Sequence, residues 1–238
     1  RDIGVTGVQT CALPICQAFC QRRGRHEKGA GGAIMTMTIL DCDQRSQTWF
    51  AARTGIVTCS NLEHVFAKGK GKGRMTYVYK IVAERLLNTP TQGGFTDAMA
   101  RGITQEEDAR AVYEIETWSN VTSVGFCLDE DLALGYSPDG FVGNDGLVEF
   151  KTKAPHLQVE VLNNGEVPDE HVAQLQGGLL VTGRAWIDFV SYCPGLPLFV
   201  KRVYPDAKYH DAIRTELADF YATVNSILYK ITNQQETL

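Results

Sequence analysis

Apolar residues recur at helical spacing along much of the chain, and this periodicity predicts six helices. The first lies within residues 46–55, where Ser46 is placed to cap its start and Gly55 to end it. A second begins near Thr58 or Ser60, and a third carries Met75, Val78, Val82 and Leu86 on one face. Longer helices are predicted at about 97–118, 169–180 and 208–230.

The pattern changes between residues 121 and 153, where β-branched and aromatic residues alternate with short groups of Gly, Asn and Asp. This composition is typical of antiparallel strands joined by tight turns, and further strands are predicted at 186–193 and 197–204. Together the elements predict one α+β domain, with helices flanking a mixed central β-sheet. No internal repeat or second domain boundary is evident.

The N-terminal segment does not follow these patterns. Residues 1–34 lack helical or strand periodicity, and a Gly/Ala run precedes Met35 and Met37. The opening RDIGVTGVQTCALPI resembles the translation of a common sequencing adapter. We therefore expect residues 1–36 to be an artefactual or disordered extension of a domain spanning 37–238. The alternative is a natural basic arm, since Arg22, Arg23, Arg25 and Lys28 form a short positive cluster.

The charge and the cysteine content of the chain argue against some classes of protein. The formal charge is −5, and residues 37–238 hold 18 Lys/Arg against 26 Asp/Glu, for a charge of −8. This acidic balance argues against a uniformly basic protein that coats nucleic acid, so any DNA contact must use local basic patches. The seven cysteines show no zinc spacing and are read as reduced thiols. Without a long apolar run or a secretory signal, a cytoplasmic location and no membrane association are expected.

The stretch GYSPDGFVGNDGLVEFKTK, residues 135–153, carries the most specific chemistry. Side chains two apart on a strand share a face, so Glu149 and Lys151 project together, while Val148 and Phe150 face the other way. A buried acid and amine cost desolvation energy, which a fold tolerates mainly when the groups pair or serve a site.

Asp139 ends the preceding strand, and a hairpin turning through 143–146 would return the chain so that this carboxylate lies beside Glu149. Two carboxylates together suit Mg²⁺, which completes its octahedron with water and substrate phosphate. The ammonium of Lys151 would then position an attacking water and offset developing charge. The alternative is a plain surface hairpin with a salt bridge, because so short a motif arises by chance.

These residues resemble the PD-(D/E)xK nuclease superfamily, read as Pro138-Asp139 followed by Glu149-Phe150-Lys151. More of the chain, about 45–230, is similar to one branch, the phage lambda exonuclease and YqaJ-like viral recombinase family. The matching blocks, in order, are WFAARTGIVTCS at 49–60, the Gly-x-x-x-Glu helix at 102–109, SPDG…EFK, and AQLQ at 173–176.

The resemblance implies a restriction-endonuclease-like core with Mg²⁺ as cofactor, for which Mn²⁺ substitutes. Asp139, Glu149 and the backbone carbonyl of Phe150 would hold the metal, and Lys151 would position the water. Glu106 would join the metal site through water or a second ion, and Gln174 would orient a water or a ligand. The alternative for Glu106 is a solvated helix face.

The same resemblance assigns a pocket for a terminal 5′-phosphate to Arg53, Ser60 and Ser137. A guanidinium donates two parallel hydrogen bonds to phosphate oxygens, and serine hydroxyls can donate further ones, so these residue types suit a phosphate pocket. The alternative for Arg53 is a cation that satisfies the C-terminal end of its helix.

The segment GKGKGR and its preceding lysine form a basic loop that fits sequence-independent contact with duplex phosphates. Its cations are Lys68, Lys70, Lys72 and Arg74. A solvated flexible loop without a DNA contact is the other reading.

The resemblance implies a 5′-to-3′ exonuclease that digests linear double-stranded DNA for phage-type homologous recombination in a bacterial host. It further implies a ring-shaped homotrimer and a partner protein that anneals single strands. Two alternatives stay open. One is an endonuclease or repair nuclease of the same superfamily, and the other is a catalytically silent DNA-binding module.

Overall fold

The computed structural model describes residues 37–67, 72–91 and 97–235, leaving aside the side chains of 72, 97–104, 234 and 235. The expected extension at 1–36 lies outside the described residues. The described chain forms an α+β domain in which helices flank two mixed sheets. The helices are α1 (Gln47–Arg53), a 3-10 turn (Cys59–Asn61), α2 (Leu62–Phe66), α3 (Lys72–Leu87), α4 (Asp97–Thr117), α5 (Pro155–Asn164), α6 (Asp169–Thr182) and α7 (Ala207–Gln235).

Nine strands of the described chain divide between the two sheets. They are β1 (Met37–Leu40), β2 (Val57–Thr58), β3 (Val121–Thr122), β4 (Phe126–Asp129), β5 (Leu134–Tyr136), β6 (Gly140–Val142), β7 (Gly146–Thr152), β8 (Trp186–Tyr192) and β9 (Phe199–Val203). The smaller sheet has the order β1-β4-β5-β2 and the larger β3-β6-β7-β8-β9. Only β2–β5 and β7–β8 pair in parallel, so both sheets are mixed.

Most predicted elements are present at nearly the predicted positions. Ser46 caps α1, accepting a hydrogen bond from the Trp49 N–H at 3.2 Å, and Gly55 follows the helix with φ of 72°. One helix, α5, was not predicted, because among its apolar residues only Val161 is buried and the periodic signal is weak. The single predicted sheet is in fact two sheets.

Strand β7 lies in the middle of the larger sheet and separates two apolar layers. Leu147 faces the main core, which includes residues of α3, α6 and α7. Val148 and Phe150 face a second core that also holds Ala109 and Tyr113 of α4. A single strand therefore contributes to both cores, and its polar residues must interrupt one of the two layers.

Asp188 of β8 carries a buried negative charge in the same sheet. Its side chain is 2% exposed and accepts hydrogen bonds from Arg202 Nε at 2.8 Å, Arg202 Nη2 at 2.9 Å and the Tyr113 hydroxyl at 2.8 Å. The Arg202 guanidinium also stacks 3.5 Å above the Trp186 ring. A two-pronged contact of this kind compensates the desolvation of the carboxylate.

None of the helices in the described part of the chain has the length and apolar character needed to cross a bilayer.

Replacing Arg202 by alanine is expected to lower the free energy of unfolding by about 2–4 kcal/mol, because Asp188 keeps its burial and loses its cation. Lys201→Ala is the matched control, since Lys201 forms a solvent-exposed pair with Glu166 at 3.0 Å and exposed pairs contribute about 0–1 kcal/mol. Urea unfolding of both variants measures the difference. Equal losses in the two variants would contradict the structural role assigned to the Asp188 pair.

Candidate active site

The centre of the candidate site is the pair of polar side chains on β7. Glu149 is almost fully buried, and its Oε1 atom lies 2.7 Å from Nζ of Lys151, which projects from the same face two residues later. Val148 and Phe150 point into the opposite core, as the sequence alternation predicts. The strand thus presents an acid and an amine side by side beneath α6.

The β6–β7 hairpin brings a second carboxylate to this pair. The register pairs Gly140 with Val148, so Asp139 lies directly before the hairpin, opposite the middle of β7. Its Oδ2 atom accepts a hydrogen bond from the backbone N–H of Phe150 at 2.7 Å. This bond fixes one oxygen of Asp139 and leaves the other available to a ligand.

Two further donors hold Glu149 in place. The Tyr136 hydroxyl donates to Oε2 at 2.8 Å, and the Gln174 amide of α6 donates to Oε1. Helix α6 comes this close because Gly178 faces the Tyr136 ring, where an added Cβ would lie only 2.8 Å from ring carbons. The small residue therefore sets the distance between α6 and the buried acid.

Glu106 of α4 adds a third acid at the mouth of the site. It shares a helix face with buried Ala109 and Tyr113, and it lines a cleft of about 400 Å³ together with Asp139 and Phe150. Its Oε2 atom lies 3.8 Å from a guanidinium nitrogen of Arg45. Glu106 therefore lies at the cleft with its side chain 36% exposed, and its part in a metal site stays a prediction.

Burial and the crowding of negative charge together determine the electrostatics of the site. Burial raises the pKa of the Asp139 carboxyl well above its usual range, and the charges of Glu149 and Glu106 raise it further. Burial by itself lowers the pKa of Lys151, but Glu149 and Asp139 outweigh it and the net direction is upward. Lys151 is thus a firmly charged ammonium, and a further cation would relieve the repulsion among the acids.

The donor set determines which metal fits. Within the described ranges, no three His, Cys, Asp or Glu side chains form a metal-binding group. A cation here would rest on Asp139, Glu149, the carbonyl of Phe150 and water. Mg²⁺ accepts so few protein ligands because it keeps several waters, whereas a structural zinc site requires four protein ligands, mostly Cys or His. Glu149 retains capacity because a carboxylate has about four lone-pair sites.

Two of the three residues assigned to a terminal phosphate lie together. Ser137 Oγ accepts hydrogen bonds from Arg53 Nη1 and from the Trp49 indole N–H, both at 2.9 Å, and the guanidinium stacks 4.0 Å from the Trp49 ring centre. Burial lowers the pKa of Arg53, yet an arginine at this depth stays protonated. Ser60 is exposed and interacts instead with Thr58 and Asn61.

The basic loop is only partly described. Lys68 and Lys70 lie outside the described residues, as does the side chain of Lys72. The prediction that Arg74 belongs to the basic loop is wrong, because Arg74 lies inside α3. Its guanidinium binds Asp219 at 2.7 Å, Glu216 at 3.4 Å and the Val65 carbonyl. These contacts tie α3 to α7, so Arg74 is not part of a mobile positive loop.

Sequence reasoning missed two neighbours of the site. Tyr136 directly precedes Ser137, and nothing in an apolar strand marks its hydroxyl as a partner of Glu149. Lys153 follows Lys151 on the same face, and its Nζ atom lies 2.9 Å from His171 Nε2. Burial, Lys153 and Lys151 lower the pKa of His171 to about 4, so this histidine is a neutral acceptor rather than a catalytic acid.

Comparison with known proteins finds similar domains. Residues 48–185 match the YqaJ-like viral recombinase domain. The crystal structure of LHK-Exo in complex with dAMP has 35% identity and a TM-score of 0.74, and that of LHK-Exo, an alkaline exonuclease from Laribacter hongkongensis, has 34% and 0.73. Each alignment covers 81% of this chain and 99% of the other.

A phage related exonuclease from Haemophilus somnus is similar in fold alone, at 13% identity and a TM-score of 0.54 over 74% of this chain and 96% of that one. No curated protein matches the sequence. The domain match spans more than half of the chain, and the likeness to LHK-Exo extends over nearly all of that enzyme. The chain therefore belongs to the YqaJ-like viral recombinase family, whose solved relatives are exonucleases with a PD-(D/E)xK core.

Proposed function

We propose that this chain, an exonuclease by its relationship to LHK-Exo, digests linear duplex DNA from 5′-phosphorylated ends with Mg²⁺ as cofactor. It releases mononucleotides and leaves a 3′ single strand for recombination. The observation that carries the proposal is that Asp139, which lines an open cleft, lies on the β6–β7 hairpin beside the paired Glu149 and Lys151. Ser137, which binds Arg53, stands two residues before Asp139 along the chain.

Each side chain has a defined task in the proposed reaction. Mg²⁺, when bound to Asp139, Glu149 and the Phe150 carbonyl, would polarise the phosphodiester and activate a water. Lys151 donates an N–H to that water and offsets negative charge that develops on the phosphate. Gln174 and Tyr136 keep the Glu149 carboxylate in one orientation, since each occupies a different oxygen.

End recognition follows from the position of Arg53. Its guanidinium is already oriented by Ser137 and by stacking on Trp49, so a terminal phosphate meets a prepared fork of donors. A phosphate held there places the next phosphodiester at a constant distance from Asp139. Cleavage then occurs one nucleotide from the end, which accounts for mononucleotide products. LHK-Exo, whose structure contains dAMP, supports this product class.

On sequence grounds, Lys68, Lys70 and Lys72 are assigned to contact with the phosphate backbone of the duplex. On the same grounds, Ser60 is assigned to the terminal phosphate, and Glu106 is assigned to the metal site through a water or a second ion. A cation bound near Glu106 would find Asp139 beside it at the cleft.

Asp139→Asn is expected to lower kcat on linear duplex by on the order of 10³-fold, because it removes one of the two carboxylates that hold the cation. The free energy of unfolding should not fall, since one of three neighbouring negative charges disappears. Release of acid-soluble nucleotides with and without EDTA measures the activity, and urea unfolding measures the stability.

Asp145→Asn is the matched control, because Asp145 is exposed in the turn of the same hairpin. Unimpaired digestion by Asp139→Asn, or digestion that survives EDTA, would refute the metal site. Cleavage of closed circular duplex by the native protein would instead indicate an endonuclease.

Arg53→Gln is expected to reduce the preference for 5′-phosphate over 5′-hydroxyl ends by about tenfold, since a charge-assisted fork is lost. Arg53→Lys keeps the charge without the fork and should retain an intermediate preference. Initial rates on the two matched linear substrates give the ratio, and thermal unfolding checks that the variants fold. A native enzyme that treats both ends alike would remove the role assigned to Arg53.

The proposal includes a ring-shaped homotrimer and a single-strand annealing partner, both from the family resemblance. Light scattering of the purified protein across a hundredfold range of concentration is expected to give three times the chain mass. A constant monomer mass would contradict the ring.

A further inference from the structure

The loop between β1 and α1, residues 41–46, lies against the candidate site. The Gln44 side-chain amide donates to the Pro138 carbonyl at 2.8 Å and to the Val124 carbonyl at 3.0 Å. Pro138 directly precedes Asp139. The loop is therefore attached to the same turn that positions a carboxylate of the active site.

Arg45 adopts an unusual backbone conformation in this loop. Its φ is 70°, in the left-handed region that non-glycine residues seldom occupy and that clusters at functional sites when it occurs. The flanking residues fix it, because Gln44 holds Pro138 and the Ser46 N–H donates to the Asp43 carbonyl at 3.1 Å. Arg45 lines the cleft together with Glu106 and Asp139.

The guanidinium of Arg45 is weakly engaged. Its nearest acid is Glu106 at 3.8 Å, which is too long for a hydrogen bond, and the Arg45 side chain is 49% exposed. Arg110, the other arginine that lines this cleft, donates instead to Ser123 at 2.9 Å and to the Val121 carbonyl. Arg45 is thus the cleft arginine that is able to change partners at little cost.

The cleft needs such a cation if a DNA strand is to enter it. Five acids line it: Asp41, Asp43, Glu106, Glu107 and Asp139. Phosphates approaching this wall meet repulsion that a single metal offsets only near Asp139. Segment 44–53 also contacts the turn before Asp139 twice, with Gln44 bound at Pro138 and Arg53 at Ser137. Both of its arginines, Arg45 and Arg53, therefore belong to a segment fastened to the turn that carries Asp139.

We propose that Arg45 is a phosphate-binding residue for the DNA strand in the cleft. On entry of the strand, its guanidinium leaves Glu106 and binds a phosphate of that strand inside the cleft, distinct from the terminal phosphate assigned to Arg53. Glu106 is then free to act toward the cation. This inference rests on the proposed function, since it takes DNA as the substrate and Arg53 as the site of the terminal phosphate.

The test measures binding of a fluorescent 5′-phosphorylated duplex by anisotropy at several salt concentrations, with Ca²⁺ replacing Mg²⁺ and the DNA checked for cleavage. Arg45→Gln is expected to raise Kd about tenfold and to make the slope of log Kd against log salt shallower by about one, because one phosphate contact is lost. Arg45→Lys should keep the slope and recover part of the affinity.

Two further variants separate binding from folding. Arg45→Gly should match Arg45→Gln in Kd while leaving the unfolding temperature unchanged or higher, because glycine accepts the left-handed backbone. Arg214→Gln is the control: its side chain is also 49% exposed and pairs with Asp211 on α7. This control should behave as the native protein, apart from the small change in salt slope that any surface charge brings.

An Arg45→Gln variant with native Kd and native salt slope would overturn the inference, as would an equal effect of Arg214→Gln. Recovery of native Kd in Arg45→Gly would also overturn it, because the defect would then come from backbone strain. A different result would contradict the proposed function: native protein that binds the duplex in the presence of Mg²⁺ and does not digest it. In that case the binding data would still support the phosphate contact of Arg45.

Discussion

The desolvated carboxylate of Glu149 is the group on which the arrangement of the site depends. It lies on the face of β7 that otherwise belongs to the main apolar core, where an uncompensated charge would be costly. Lys151, Gln174 and Tyr136 each donate to it, and they come from the same strand, from α6 and from the neighbouring sheet. Three separate elements therefore converge because one negative charge has been placed in the interior.

The second acid, Asp139, lies closer to the cleft than Glu149. Among the described residues, the Phe150 N–H donates to its Oδ2 atom, and Asp139 lines the cleft. Burial raises the pKa of its carboxyl, and the charges of Glu149 and Glu106 raise it further. A site with an excess of acids over nearby cations stores unfavourable electrostatic energy. In the proposed function, a bound divalent cation would offset that repulsion, which would couple metal affinity to fold stability.

The sequence predicted the parts of the site that follow from strand geometry. Alternation placed Glu149 beside Lys151, and the Gly-rich turn after Asp139 implied the hairpin that returns to β7. Contacts between distant segments left no local pattern. The Tyr136 hydroxyl and the Gln44 tether to Pro138 connect separate loops and strands, and the pairing of Arg74 with α7 depends on how two helices pack. The division into two sheets likewise depends on long-range pairing that periodicity does not encode.

The parallel pairing of β7 with β8 has a consequence for how the molecule assembles. The β6–β7 hairpin is local in sequence, but β8 reaches its place only after a connection through α5 and α6, residues 153–185. Contacts so far apart along the chain form slowly. We therefore expect Asp139, Glu149 and Lys151 to become neighbours in the hairpin before α6 packs over them, so that the candidate site is completed late in folding.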